Sequence, residues 1–244
     1  MSGLFARNAP PEPAQTAPAG LPSVFEILSA LADIGDEQWA GYAFLREPLR
    51  GRFTAGQQWE LTHRAAECGK ETAEQLIRRL GETDPAAIAA KLGVTVRNSR
   101  AKTGSVSRNL LAIYQEPDEI TIYTNGLEKA ARFFHREECP PTLRGTDLYA
   151  VILAHELFHV LEYRYRDSLW CCTYQTQLWK LGPLKRNTRL SVLPEISAMA
   201  FSKRLNALPC IPYFAEAAML YAKSPADGCA LFRMMADCAV PDKS

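Results

Sequence analysis

The segment from Tyr149 to Tyr163, YAVILAHELFHVLEY, places His155, Glu156 and His159 inside an otherwise apolar run. Ionisable groups are costly to bury without partners, so any fold that buries this run must account for them. The segment reads as a helix apolar nearly all round, through Val151, Ile152, Leu153, Leu157, Phe158, Val160 and Leu161, which is the pattern of a helix inside a core. On it His155 and His159 lie one turn apart on one face, and both imidazoles can reach a single metal ion. This is the HExxH arrangement. Neutral imidazole binds Zn2+ at ~2.0–2.1 Å. Glu156, rotated by ~100° from His155, stands beside such a metal rather than on it. A carboxylate there can take the proton of a water whose pKa the metal lowers towards ~7. The competing account is a pair of core histidines satisfied by hydrogen bonds, because a short motif has a false-positive risk.

A catalytic zinc normally takes three protein ligands and keeps one position open. His63 and His135 are the only other histidines, so a site of histidines alone needs one of them. Glu195 is the better candidate. It lies 36 positions after His159 and begins a predicted helix, Glu195 to Leu205, with Pro194 in its first turn. Its face continues through Ala198, Met199 and Ser202, a small stripe suited to close packing on another helix. Glu162 competes, since it shares a face with both histidines, but it lies ~10 Å along the axis from His155. A hydrogen bond to a ligand, or a substrate contact, suits Glu162 better. The expected metal ligands are therefore His155, His159 and Glu195, with Glu156 as the catalytic base.

The 244 residues, 47% of them hydrophobic, suffice for one substantial core. A net charge of +1 offers nothing to nucleic acid or an acidic membrane surface, and no apolar run approaches the ~18 residues of a membrane span. Residues 1–22 are rich in Pro and Ala without a signal-peptide core and read as a disordered tail. Residues 23–82 read as a helical extension without a helix-turn-helix, and 83–240 as the domain that carries the motif and the C-terminal helices. Seven cysteines without a CxxC pair fit neither a disulfide framework nor a thiolate zinc site, which points to a reducing cytoplasm.

Gln57 to Leu80 is a predicted helix stopped by Gly81, and Asp84-Pro85 opens a second one ending at Gly93. A strand follows at 94–96. Residues 109–124, NLLAIYQEPDEITIYT, form a predicted hairpin around Glu116-Pro117-Asp118-Glu119. Residues 167–190 read as an irregular surface loop or a lid over the site.

From Ala86 to Pro209, about half the chain, this order of parts resembles the ImmA/IrrE-like metallo-endopeptidases: AAIAAKLGVTV, then the hairpin, a short helix, HELFH, and the helix Glu195-Ile-Ser-Ala198-Met-Ala-Phe201 running on to Leu208-Pro209. The resemblance implies an α+β fold, mostly helical and zincin-like, with a small antiparallel sheet or hairpin beside the HExxH helix. It also implies that Glu195 is the third zinc ligand, that the protein is a gluzincin-type zinc peptidase, and that its substrate is a peptide or protein such as a transcriptional regulator. The alternative is a catalytically silent metal-bearing interaction or sensor module on the same fold. A di-iron carboxylate bundle, suggested by Glu60-x-x-His63 beside Glu156-x-x-His159, conflicts with the predicted strands.

Overall fold

A computed structural model describes residues 20–100, 112–181 and 184–239. The expectations for residues 1–19 and for the start of the hairpin at 109–111 lie outside them. In chain order the elements are α1 (Val24–Ala32), α2 (Ala40–Phe44), α3 (Ala55–Leu80), α4 (Pro85–Lys91), β1 (Thr95–Ser99), β2 (Ala112–Gln115), β3 (Glu119–Tyr123), α5 (Thr124–Ala131), α6 (Leu148–Tyr165), α7 (Trp170–Thr173), β4 (Thr176–Leu181), β5 (Leu184–Thr188), α8 (Val192–Leu205), α9 (Phe214–Lys223) and α10 (Pro225–Ala239). The architecture is a mostly helical α+β fold.

Helix boundaries follow capping chemistry. Thr54 and Gln57 exchange side-chain and backbone hydrogen bonds at the start of α3. Gly81 closes the helix at φ 61°, a left-handed turn that a side chain would strain. Asp84 accepts from the amides of Ala86 and Ala87, with Pro85 in the first helical position. Asp147 accepts from Tyr149 and Ala150 at 2.9 and 3.1 Å, which starts α6.

The predicted hairpin is present as β2 and β3, with Ala112 opposite Ile122 and Gln115 opposite Glu119. The strand after α4 joins the far side of β3 in parallel, Thr95 opposite Glu119 and Ser99 opposite Tyr123. The sheet order is thus β1-β3-β2, and the sheet is mixed rather than antiparallel. Alternation along β3 buries Ile120 and Ile122 completely and leaves their neighbours half-buried. Both the sheet, through β2 and β3, and α8 pack against α6.

Small residues let the helices close. Ser202 of α8 donates its hydroxyl to the Val151 carbonyl of α6 at 2.7 Å, and Phe158 packs on Phe201 with ring centroids 5.7 Å apart. α8 meets α3 as closely: a Cβ on Gly69 of α3 would meet the Ser197 carbonyl oxygen at 2.0 Å. The Ser197 hydroxyl donates to Ala65 across the same contact, at 2.7 Å. α8 therefore packs against both α3 and α6, inside one apolar cluster that runs from Val24 to Met235.

Within 167–190, the described residues are largely regular rather than an irregular loop. After the short α7 they form an antiparallel ribbon, β4 with β5, in which Trp179 faces Arg186. Trp179 and Leu184 are exposed, at 48% and 63%. All seven cysteines are free thiols. Among the described residues, no helix is long and apolar enough to cross a membrane.

Candidate metal centre

Two buried helices bring the site together. α6 holds His155 and His159 between rows of buried Leu and Val side chains, and α8 brings Glu195 from its first turn. The histidines are mostly buried, with side chains 18% and 17% exposed, whereas the Glu195 carboxylate opens to solvent at 56%. A site with two sheltered ligands and one open flank admits a ligand from outside.

Both histidines turn Nε2 to the same point. The two Nε2 atoms are 3.3 Å apart. Glu195 places Oε2 3.5 Å from His155 Nε2 and Oε1 3.6 Å from His159 Nε2. Ligands held tetrahedrally at ~2.0–2.1 Å from zinc stand about 3.3–3.4 Å apart; the two Nε2 atoms are at that spacing, and each carboxylate oxygen lies slightly further from one of them. These three side chains could hold a metal ion, and among the described residues no other such group occurs.

Hydrogen bonding fixes one imidazole. A carboxylate without a proton can only accept, so His159 must donate its Nδ1–H to Glu162 Oε2, 2.8 Å away. That leaves the Nε2 of neutral His159 as a bare lone pair directed at His155 and Glu195. Either the Nε2–H of His155 or a metal ion can meet that lone pair. Glu162 is therefore placed behind His159, as its reach along the helix suggested, and outside the cluster of His155, His159 and Glu195. The Nδ1 of His155 is buried and has no hydrogen-bond partner among the described residues.

The electrostatics agree with the geometry. Partial desolvation by the surrounding protein resists ionisation of Glu195, but a hydrogen bond from His155 and the charges of His155, His159 and Arg46 outweigh it and hold its pKa down at about 2. For His159, burial works against the charged form. The hydrogen bond to Glu162 and the charges of Glu195, Glu156 and Glu162 overcome this and raise its pKa above the usual 6.5. Glu156 is half-buried one position along the helix. Its influence on His159 places it in the field of the site.

Of the residues considered from sequence, the structure brings together His155, His159 and Glu195, with Glu156 and Glu162 alongside. His63 instead stacks on Trp59, rings 5.5 Å apart, and His135 is exposed in a 3-10 turn after α5. Arg46 was not singled out. It pairs with Glu216, which also accepts from the Tyr42 hydroxyl at 2.6 Å, and its charge reaches Glu195. No periodicity marks an arginine that follows a five-residue helix, so its place was legible only once α2 and α9 had packed.

Comparison of the chain with protein-family models, curated proteins and solved structures finds no match in any of the three.

Proposed function

We propose that this chain is a zinc-dependent peptide hydrolase of the gluzincin type, related in its parts to the ImmA/IrrE-like metallo-endopeptidases. The observation that carries the reading is the convergence of His155 Nε2 and His159 Nε2, 3.3 Å apart, with the Glu195 carboxylate, one oxygen 3.5 Å from the first and the other 3.6 Å from the second, beside Glu156 on the helix of the two histidines. The order of α4, β1, hairpin, α5, α6 and α8 supports the zincin-like likeness.

His155, His159 and Glu195 would hold the zinc. When bound, the ion lowers the pKa of a water and polarises the scissile carbonyl. Glu156 takes the water's proton on its carboxylate and later delivers it to the leaving amine. Glu162 keeps the His159 ring in the tautomer that leaves Nε2 free. The open flank beside Glu195 is where a peptide would enter.

Glu156→Gln keeps the size of the side chain and removes the base. Zinc content should stay at one per chain while hydrolysis of a peptide library falls by about 10²–10⁴-fold. Full activity in that variant overturns the mechanism. Zinc at one per chain in a wild-type protein that cleaves no library peptide would replace the peptidase by a metal-bearing binding module.

A further inference from the structure

Glu47 is the most deeply buried carboxylate described in the chain, at 4% exposed, and the hydrolytic reading gives it no task. It follows α2 and reaches across to α8. Its Oε2 accepts from the Ser191 hydroxyl at 3.0 Å and from the Val192 amide at 3.2 Å, while Oε1 accepts from its near neighbour Leu49 at 3.1 Å. A buried charge is tolerated only where donors surround it, and here two of the three donors belong to the start of one helix.

That helix needs such a partner. The first amides of a helix have no acceptor within it, and the usual remedy is an oxygen from the residue just before. Ser191 occupies that position in α8 but makes no side-chain cap to its own helix. Its hydroxyl is turned to Glu47 instead. Pro194 has no N–H to satisfy, and the Leu193 amide makes a long 3.4 Å contact to Leu190. The Glu47 carboxylate therefore holds the first turn of α8 from outside. Glu195 stands three residues after Val192, about 4.5 Å further along the axis by the helical rise.

We infer that Glu47 is a positioning residue for the metal ligand Glu195: by anchoring Ser191 and Val192 it sets where the first turn of α8, and so the third ligand, meets the two histidines. The helical segment before α3 thereby becomes part of the metal centre. The neighbouring Arg46, paired with Glu216 of α9, fastens the same segment on its other side. The inference rests on the metal reading of the site.

Zinc affinity, measured by competition with a chelator, and the visible absorption of the Co2+-substituted protein test it, each read beside the thermal midpoint of the metal-free chain. Glu47→Ala should weaken zinc about 10–100-fold, the usual cost of losing a group that orients a ligand, and should alter the Co2+ spectrum. Glu47→Gln, whose carbonyl oxygen can still accept from Val192, should recover the affinity to within a few-fold. Ser191→Ala, which removes one of the two anchors, should fall between them. A Glu47→Ala protein with a lowered midpoint, unchanged zinc affinity and the wild-type Co2+ spectrum overturns the inference, since a merely structural group would behave so. If Glu47→Ala does not fold, Glu47→Asp, shorter by one methylene, decides in the same way. A wild-type chain that takes up neither ion is a separate failure, of the metal centre itself.

Discussion

The two helices that meet at the site hold their ligands in different ways. α6 is capped by its own Asp147, is buried along its length, and presents His155 and His159 from its middle. Each is fixed by turns of helix on both sides. α8 starts without a side-chain cap of its own and offers Glu195 from its first turn, where a helix is most free to move. The difference teaches that the histidine pair is built into the core, whereas the position of the carboxylate depends on what α8 touches: Gly69 and Ala65 of α3, Val151 of α6, and Glu47.

Removing ligands breaks the comparison most strongly. His159→Ala and Glu195→Ala should each abolish retention of zinc through dialysis against a weak chelator, since either leaves two ligands of the three. They should differ in the metal-free protein. His159→Ala opens a hole beside a buried core and orphans Glu162. Glu195→Ala takes a side chain more than half exposed and removes an acceptor at the end of a helix, so its thermal midpoint should move less. Equal midpoints would mean that the two helices are not embedded differently.

Next in size is the clamp on α8. Gly69→Ala places a methyl group against the Ser197 carbonyl, where 2.0 Å is available, and backbone rather than a flexible side chain must yield. A loss of about 3 kcal/mol, at the upper end of the usual range for overpacking, is expected in urea titration. Because α8 must back away from α3, zinc affinity should fall as well. Asp147→Ala provides the counterpart on α6: loss of its cap should cost about 1 kcal/mol and leave zinc affinity within about twofold, because the histidines sit two turns or more inside the helix. If instead the cap on α6 proved as important for metal as the clamp on α8, the contrast between the helices would be lost.

Much of the cluster of His155, His159 and Glu195 was legible in the chain. Spacing alone puts His155 and His159 on one face, and an acidic residue at the head of a later small-residue helix singles out Glu195. The same spacing argument kept Glu162 out of the cluster. What escaped has physical causes. Alternation in β1 and β3 records which face is buried but not the direction of pairing, so the parallel partnership of Thr95 with Glu119 was invisible. The β4-β5 ribbon carries Trp179, Leu184, Lys185 and Arg186 all exposed, and a ribbon wet on both faces has no inward period to read. α8 begins at Val192 rather than at Pro194, because its start is set by Glu47, which lies well over a hundred positions away. A helix capped from outside leaves no local signature.

The smallest expected effect is also the one that separates the helices by charge. In the metal-free protein His159 has a pKa raised above its usual value near 6.5. Its protonated form is therefore favoured by folding. That contribution is complete below about pH 6.5 and is lost as pH rises through the elevated value. Glu195 has the opposite sense, with a pKa of about 2 against an ordinary 4.5. Its contribution is complete above about pH 4.5 and is lost as pH falls towards 2. Denaturation midpoints of the metal-free chain should thus form a plateau between about pH 4.5 and 6.5, with an alkaline decline owed to α6 and an acid decline owed to α8. Glu162→Gln should flatten the alkaline side by removing the negative charge that sustains the imidazolium, while its carbonyl oxygen can still accept from Nδ1. Glu195→Gln should flatten the acid side, and part of the alkaline side too, because the Glu195 charge also supports His159. On the proposed zinc reading, the metal should reverse the slope at neutral pH. It requires neutral imidazole, so its binding displaces the proton of His159 and gains up to about tenfold per pH unit for each proton released, until the elevated pKa has been passed. A zinc affinity that stays flat from pH 6 to 8 would show that the proton and the metal do not compete for the Nε2 of His159, and would remove His159 from the proposed ligand set.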